Sequence, residues 1–413
     1  MTVTADLKPA SAHPGCPAEL QHLAGKILDV DAHEWAPSRL WTDMFGQACQ
    51  PLAEAEAYAV AAMKDYYFKN SNSYIEETDV IDNYTAWNAK GPFPRAAYDM
   101  QARLDLMDYI GVERQVIFPG NFVIISLMML GQLDNPDFFG SITGDRRGFA
   151  MKMIRMHNDW VIRQQQWSNR LRPVATVLGD TVDELYDEAK RVIDAGVRVL
   201  WLPVSMLPGG RSPAHSEVDR FWKLCAESNT VCTLHVGNEA AFFKTHEWKN
   251  AEFFEADEWK IHSEVNLDPW TLGTWMLPAW NYMTTLIGGG VFDRHPNLRF
   301  GLQELGGHWI GALGQGLDLW GEFTQTKPWS TKLKMKPSDY IRRNVKVSAF
   351  EWEPVDQYIK QYGFEDVFCY SSDFPHVEGG TDPMRHGYEC VKPLGEAQVK
   401  KFFIDNCKWM LPD

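Results

Sequence analysis

The sequence predicts a closed (β/α)8 TIM barrel with long insertions after several strands. Eight short apolar runs alternate with longer amphipathic segments, which is typical of βα units and a parallel sheet. The eight units span about 350 of the 413 residues, which favours one barrel over an open doubly wound sheet. Titratable residues stand at the ends of four of the eight runs, and barrel active sites lie at the carboxyl ends of the strands.

The predicted strands are short runs rich in β-branched and other apolar residues, several of them bounded by Gly, Pro or Asp. In chain order they are residues 27–33, 114–119, 171–178, 197–205, 231–237, 298–304, 345–350 and 366–373.

Amphipathic helices are predicted between the strands. One places Met100 and Leu104 on the same stripe and ends at Gly111, which is a favoured residue after a helix. Another begins at Thr181 with Glu184 three residues later, the pattern of a capping box.

Three connections are longer than simple βα links. Residues 42–99, 120–150 and 238–288 follow the first, second and fifth predicted strands, so all three belong to the face that carries the strand ends. The last is rich in tryptophan, with Trp248, Trp259, Trp270, Trp275 and Trp280. Such loops form lids or pocket walls, and a contact in a homodimer is an equally good interpretation. We expect residues 1–25 to be an N-terminal arm and residues 26–413 to be the barrel domain.

Composition and charge exclude several classes of protein. The net charge of -15 argues against nucleic acid or an anionic membrane as a partner, and a small-molecule substrate is expected instead. The seven cysteines include no C-x-x-C pair, which argues against a zinc–thiolate site and fits a reducing cytoplasm. The N-terminus has no signal-peptide pattern, and the apolar run "FVIISLMML" is about half as long as a membrane span.

Five side chains at strand ends could ligate a metal: Asp31, His33, His235, Glu304 and Asp373. Taken singly, His235 could be a core histidine, and Asp373 or Glu304 could cap a helix. Together they bring two imidazoles and three carboxylates to one rim, where so much negative charge is hard to tolerate without a cation. Oxygen and nitrogen donors without thiolate suit a divalent zinc, manganese or iron ion. One ion is expected and two are possible.

Five segments resemble, in order and spacing, the amidohydrolase-related branch of the amidohydrolase superfamily, which includes aminocarboxymuconate-semialdehyde decarboxylase and the resorcylate-type decarboxylases. They are "LDVDAHEWAPSRLW", "TLHVG", "GGVFDRHPNLRFGLQELGGHW", "PSDYIRRNV" and "YSSDFPHVEG". The resemblance covers about residues 27–380. It implies a (β/α)8 barrel with one divalent metal, held by Asp31, His33, His235 and Asp373.

The chain departs from the pattern of that branch at three places. Asp31 stands where many members have the first histidine of H-x-H. The fourth predicted strand has no lysine, so the carbamylated-lysine bridge of the binuclear hydrolases is unavailable. Glu304 replaces a histidine found in many hydrolases, and His308 follows four residues later, on the same side if that segment is helical.

The expected activity is nonoxidative decarboxylation of a small aromatic or unsaturated carboxylic acid, with Asp373 or His308 delivering the proton. The first alternative is metal-dependent hydrolysis of an amide, ester or lactone, with Asp373 as the base. The second is oxygenation by a non-haem diiron centre on the same barrel. Trp35, Trp309 and His376 are expected to bind substrate because they lie near the candidate ligands in sequence, and His376 could equally orient Asp373.

Overall fold

The computed structural model describes residues 13–57, 77–131, 139–236, 248–255, 268–323 and 328–412. The strands are all parallel and follow one another in chain order around the barrel. They are β1 Ile27–Asp29, β2 Val112–Ile117, β3 Leu171–Pro173, β4 Ala175–Thr176, β5 Val199–Trp201, β6 Val231–His235, β7 Arg299–Gln303, β8 Val345–Ser348 and β9 Phe368–Cys369. Because β3 and β4 are two halves of one barrel strand separated by Val174, the eight predicted strands are all present.

The last strand closes the barrel onto the first. The N–H of Val30 donates a hydrogen bond to the carbonyl oxygen of Tyr370 at 3.2 Å, and the N–H of Asp373 donates to the carbonyl oxygen of Asp31 at 2.8 Å. Closure leaves no exposed sheet edge, and the fold is a (β/α)8 TIM barrel, as the sequence predicts.

Regular pairing ends earlier than the predicted strand ranges at the mouth of the barrel. β1 stops at Asp29 and a bend follows at Val30, after which Ala32 and His33 make isolated bridges to Phe374 and Phe118. The side chains beyond the bend are therefore aimed by local turns as well as by strand alternation.

Helices surround the barrel. Those whose bounds are described are α1 Trp41–Phe45, α2 Thr85–Asn88, α3 Met100–Ile110, α4 Asn121–Gly131, α5 Arg146–Trp167, α6 Val182–Asp194, α7 Asp219–Glu227, α8 Glu252–Glu255, α9 Pro269–Thr274, α10 Leu277–Gly288, α11 Val291–Arg294, α12 Ile310–Glu322, α13 Pro337–Asn344, α14 Val355–Tyr362, α15 Pro383–Val391, α16 Glu396–Lys400 and α17 Asn406–Met410. The predicted capping box is confirmed, because Thr181 Oγ1 accepts from Glu184 N and Glu184 Oε2 accepts from Thr181 N. Gly111 ends α3 in the left-handed conformation, with φ 81°.

The C-terminal helix α17 and the residues after it cover the amino-terminal end of the barrel. Arg114 and Arg299 donate hydrogen bonds to the carbonyl oxygens of Leu411 and Trp409, and the Lys346 ammonium lies 4.9 Å from the centre of the Trp409 ring. The opposite end of the barrel carries the polar strand ends, which leaves it as the place for a functional site.

The segments outside the barrel strands bear on three predictions. Leu20 and Leu23, in the described part of the predicted arm, are buried against the barrel, while the division into residues 1–25 and 26–413 stays a prediction. In the tryptophan-rich insertion, Trp248 is 74% exposed and Trp275 is 8% exposed, while Trp259 lies outside the described residues. Homodimerisation stays a prediction.

Among the described residues, no helix has the length and apolar character needed to cross a bilayer.

Candidate metal centre

The five candidate ligands predicted from the sequence meet at the carboxyl end of the barrel. Asp31 and His33 follow β1, His235 is the last residue of β6, Glu304 follows β7 directly and Asp373 follows β9. All five side chains are buried, with exposed fractions between 1% and 7%. Their roles as ligands remain a prediction, and their common location is a structural fact.

His33 lies at the centre of the group. Its Nε2 atom is 3.5 Å from Asp31 Oδ1, 3.7 Å from Glu304 Oε2 and 3.4 Å from Asp373 Oδ1. His235 approaches from the other side, with Nε2 3.0 Å from Glu304 Oε2 and 3.6 Å from Asp31 Oδ1. Donor atoms from four separate strands are thus within reach of one another.

Two contacts orient these side chains toward the common centre. The Nδ1 atom of His235 lies 2.8 Å from the carbonyl oxygen of Val236, which leaves Nε2 directed into the group. Ser348, the last residue of β8, donates from its hydroxyl to Asp31 Oδ2 at 3.0 Å. Asp31 Oδ1 therefore remains directed at the two imidazoles.

The backbone is strained at two of the five positions. Of the non-glycine residues that the structure describes, Asn229, Glu304 and Asp373 have positive φ angles of 57°, 51° and 53°. This left-handed conformation costs a non-glycine residue roughly 1 to 2 kcal/mol, and such strain is typical of functional sites. Here it turns two carboxylates at strand ends toward the barrel axis.

His376 joins the group as a third imidazole. Its ring stacks on His33 with centroids 3.7 Å apart, and its Nδ1 atom is 3.4 Å from Asp373 Oδ1 and 3.5 Å from Glu304 Oε1. Trp35 contacts the same imidazole edge-on, with centroids 5.4 Å apart. The sequence predicts that His376 binds substrate or orients Asp373, and its distances to the neighbouring carboxylates also make it a candidate ligand.

The charges in the group reinforce one another. Burial would lower the pKa of His235, but the carboxylates of Glu304 and Asp31 raise it to about 10. Burial would raise the pKa of Asp31, but the neighbouring imidazoles of His235 and His33 outweigh burial and lower it. The pKa of Asp373 is lowered in the same way by His33 and its stacked neighbour, against the effect of burial. The carboxylates are therefore anionic at neutral pH and draw positive charge to the site.

The donor set fits a divalent metal ion. Several of its buried atoms have no hydrogen-bond partner within the described chain: Asp31 Oδ1, His33 Nε2, His235 Nε2, Glu304 Oε2 and both carboxylate oxygens of Asp373. Polar atoms buried in this way cost free energy unless something binds them. They are oxygen and nitrogen atoms without thiolate, a donor set that zinc, manganese and iron ions all accept.

Two other predicted site residues, His308 and Trp309, lie farther from this centre. The His308 side chain is 50% exposed and its Nδ1 atom is 3.8 Å from Glu353, so it stands at the rim. Trp309 is 2% exposed, donates to the carbonyl oxygen of Leu305 and packs near Trp280. The sequence places His308 on the side of Glu304 only if that segment is helical, and this condition is not met, because α12 begins at Ile310 and the preceding residues are not helical. The catalytic role of His308 stays a prediction.

Two further carboxylates line the site and are not among the residues predicted from the sequence. Glu351 and Glu378 line a narrow cavity of about 10 Å³ together with Asp31, Glu304 and Asp373. Burial raises the pKa of Glu378, and the neighbouring Glu304 carboxylate raises it further. In the sequence, Glu378 follows Asp373 by five residues within "YSSDFPHVEG", so its proximity depends on the turn that brings residues 377–379 back.

Gly379 permits that turn, and we expect Gly379→Ala to weaken metal binding and activity strongly. A Cβ atom at Gly379 would lie 2.3 Å from the carbonyl oxygen of Ser372 and 3.0 Å from Cβ of Asp373, so the backbone that carries Asp373 must shift. Metal titration and an activity assay would measure the loss. Gly316→Ala in α12 is the matched control, because nothing lies within 4 Å of its Cβ position. Equal metal affinity in the two variants would contradict the prediction.

Comparison with known proteins assigns the chain to a family. A family model described as amidohydrolase matches residues 147–411, more than half of the chain. No curated protein matches the sequence. Solved structures with a similar fold include an amidohydrolase from Mycobacterium avium subsp. paratuberculosis K-10, which is 17% identical, with 94% of this chain and 99% of that chain covered and a TM-score of 0.65.

Two further similar structures are decarboxylases. A 2,6-dihydroxybenzoate decarboxylase from Rhizobium is 16% identical, with 94% of this chain and 98% of that chain covered and a TM-score of 0.58. A dihydroxybenzoic acid decarboxylase from Polaromonas sp. JS666, with bound manganese and the inhibitor 2-nitroresorcinol, is 15% identical, with 94% and 96% covered and a TM-score of 0.56. At these identities the likeness establishes the fold alone. On the family match, this chain belongs to the amidohydrolase family.

Proposed function

We propose that this protein is a divalent-metal-dependent decarboxylase that removes CO2 from a small aromatic or unsaturated carboxylic acid without oxidation. The observation that carries the proposal is the convergence of Asp31, His33, His235 and Asp373 at the carboxyl end of the barrel. The similar folds of two dihydroxybenzoate decarboxylases, one of them with bound manganese, support it.

The proposed ligands of the ion are Asp31, His33, His235 and Asp373, with Glu304 as a fifth donor. The ion is Mn²⁺, Zn²⁺ or Fe²⁺, since all three accept this mixture of imidazole and carboxylate. When bound, it supplies a Lewis acid that can hold the substrate's carboxylate and a neighbouring oxygen.

The proton that completes the reaction is assigned to Asp373. The bond between the substrate's carbon and its carboxylate breaks, CO2 leaves, and a proton is added to that carbon. Asp373 Oδ1 is 3.4 Å from Nδ1 of His376, which is not among the proposed ligands, so the carboxylate can take up a proton from that imidazole and pass it to the substrate carbon. His308 is the weaker candidate for this step because it stands half exposed at the rim.

Aromatic side chains suit a planar, apolar substrate. Phe118 lies beside the group, with its ring centroid 4.4 Å from that of His235. Trp35 contacts His376, and both are proposed to contact the substrate. Trp309 is buried behind the site, so its proposed contribution is to support the pocket wall.

A second candidate function is oxygenation by two irons. The donor atoms fall into two overlapping groups, His33 with Glu304, Asp373 and His376, and Asp31 with His33 and His235; within each group the atoms lie within 4.8 Å of one another. One ion takes about four protein ligands in most sites, and six donor side chains exceed that number. This surplus is the observation that favours a dinuclear centre.

The test is to load the protein separately with Mn²⁺, Zn²⁺ and Fe²⁺ and to supply a panel of hydroxylated benzoic acids. We expect one bound ion per chain by elemental analysis, and release of CO2 in equal amount to the phenol formed. Asp159→Asn, on the exposed surface of α5, is the control and should behave as the wild type. A second panel of unsaturated aliphatic carboxylic acids is assayed in the same way, and absence of CO2 from both panels with all three metals would reject the proposal. Two irons per chain with consumption of O2 would establish the second candidate instead.

A further inference from the structure

A buried arginine next to the centre contacts two of the four strand ends that carry candidate ligands, the first and the last. Arg103, on α3, has no exposed surface. It donates from Nε to the carbonyl oxygen of Ala96 at 2.6 Å, from Nη1 to Gln115 Oε1 at 3.0 Å and from Nη2 to the carbonyl oxygen of His33 at 2.5 Å. Its guanidinium also lies 4.8 Å from the ring centre of Phe374, the residue after Asp373.

A buried aspartate joins the same two strand ends from the other side. Asp29 Oδ1 accepts from the N–H of Asp31 at 3.2 Å and from the N–H of Ser372 at 2.9 Å. Its Oδ2 accepts from Gln115 Nε2 at 2.8 Å. Gln115 therefore links Asp29 to Arg103, and the three side chains form one continuous hydrogen-bond network next to the site.

These three hydrogen-bonded side chains contribute more to the position of the two strand ends than to the stability of the core. Removing an arginine and an aspartate from water costs several kcal/mol, and apolar residues of similar volume often stabilise a core equally well. The partners of these side chains indicate a role in positioning the backbone. Their hydrogen bonds end on the backbone of His33 and Asp31 after the first strand and of Ser372 after the last strand. Those backbone groups determine where the ligand side chains begin.

We propose that Arg103, Gln115 and Asp29 are positioning residues that fix the separation of the first and last strand ends and thereby set the affinity of the site for its metal ion. The inference rests on the proposed metal centre. Partners that orient metal ligands typically change metal affinity by 10- to 100-fold when they are removed, although they never contact the metal.

The test compares Arg103→Met with the wild type by calorimetric titration with Mn²⁺ and by the electron paramagnetic resonance spectrum of the bound ion. Methionine fills similar space and removes all the donors, so we expect Mn²⁺ binding about 10- to 100-fold weaker, with a changed spectrum. Arg103→Lys, which keeps the charge and one donor group, should recover part of the affinity. Gln115→Met, which leaves the bond from Arg103 to His33 intact, serves if Arg103→Met does not fold.

Asn158→Ala is the matched control. Asn158 is also fully buried, and it joins α5 to Thr176 through hydrogen bonds of 2.9 and 3.0 Å, on a strand that carries no candidate ligand. It should lower the melting temperature and leave Mn²⁺ affinity unchanged. Wild-type affinity in Arg103→Met and Gln115→Met, or an equal loss of affinity in Asn158→Ala, would overturn the inference. A wild-type protein that binds no divalent metal would instead reject the proposed function on which the inference rests.

Discussion

His235→Ala should weaken binding of the divalent metal by at least about 100-fold, because loss of a mere orienting partner already costs 10- to 100-fold. The Nε2 atom of His235 lies 3.0 Å from Glu304 Oε2 and 3.6 Å from Asp31 Oδ1, and all three side chains are buried. Alanine removes one donor and one of the imidazoles that lie beside these buried carboxylates, so the variant should also lose stability.

Elemental analysis after dialysis would measure this loss, and calorimetric titration would give the residual affinity. His215→Ala is a suitable control, because His215 caps a short surface turn by accepting from the N–H of Glu217. We expect that control to keep the wild-type metal content. One full equivalent of metal in His235→Ala would contradict the assignment of this histidine as a ligand.

The barrel and the meeting of its polar strand ends could be predicted from the sequence because both follow from local patterns. Apolar runs of strand length alternate with helical patterns, and parallel strands place their carboxyl ends on one face. The capping box at Thr181 and the glycine after α3 are likewise properties of a few adjacent residues. None of these features needs information about distant parts of the chain.

The remaining features of the site depend on turns and on long-range contacts that no local pattern contains. Glu304 and Gly306 both have positive φ angles, so the segment before Ile310 leaves the helical path that would have brought His308 beside Glu304. His376 reaches His33 because the chain turns back immediately after Asp373. In each case one or two backbone angles decide the outcome, and the residue type alone does not fix them.

The burial of Arg103 is another feature that no local sequence pattern indicates. In the sequence it looks like an ordinary residue of an amphipathic helix, yet the structure buries it completely against His33 and Gln115. A charged residue on a helix is exposed in most proteins, so periodicity gives no signal for this exception. Its partners are 70 and 12 residues away in the chain, and the fold alone brings the more distant one into contact.

Asp373→Asn should reduce turnover by about 10²- to 10⁴-fold for each bound metal ion, because that is the usual contribution of a positioned acid or base. Asparagine has nearly the same shape and keeps one oxygen that can face the metal, so part of the metal content should survive. It cannot hold and release a proton, however, so no proton could pass between this position and the neighbouring His376 imidazole.

Dividing turnover by metal content separates the two roles proposed for Asp373. If the carboxylate were a ligand and nothing more, activity and metal content would fall together and turnover for each bound ion would stay at the wild-type value, which would reject the proton-carrying role. If it carries the proton, the normalised rate falls as well, and added Mn²⁺ cannot restore it. Asp339→Asn, at an exposed position of α13, controls for the loss of one negative charge in a chain whose net charge is -15. A larger loss of turnover in Asp373→Asn than in Asp339→Asn would then come from the position of Asp373, which lies between two imidazoles at the mouth of the barrel.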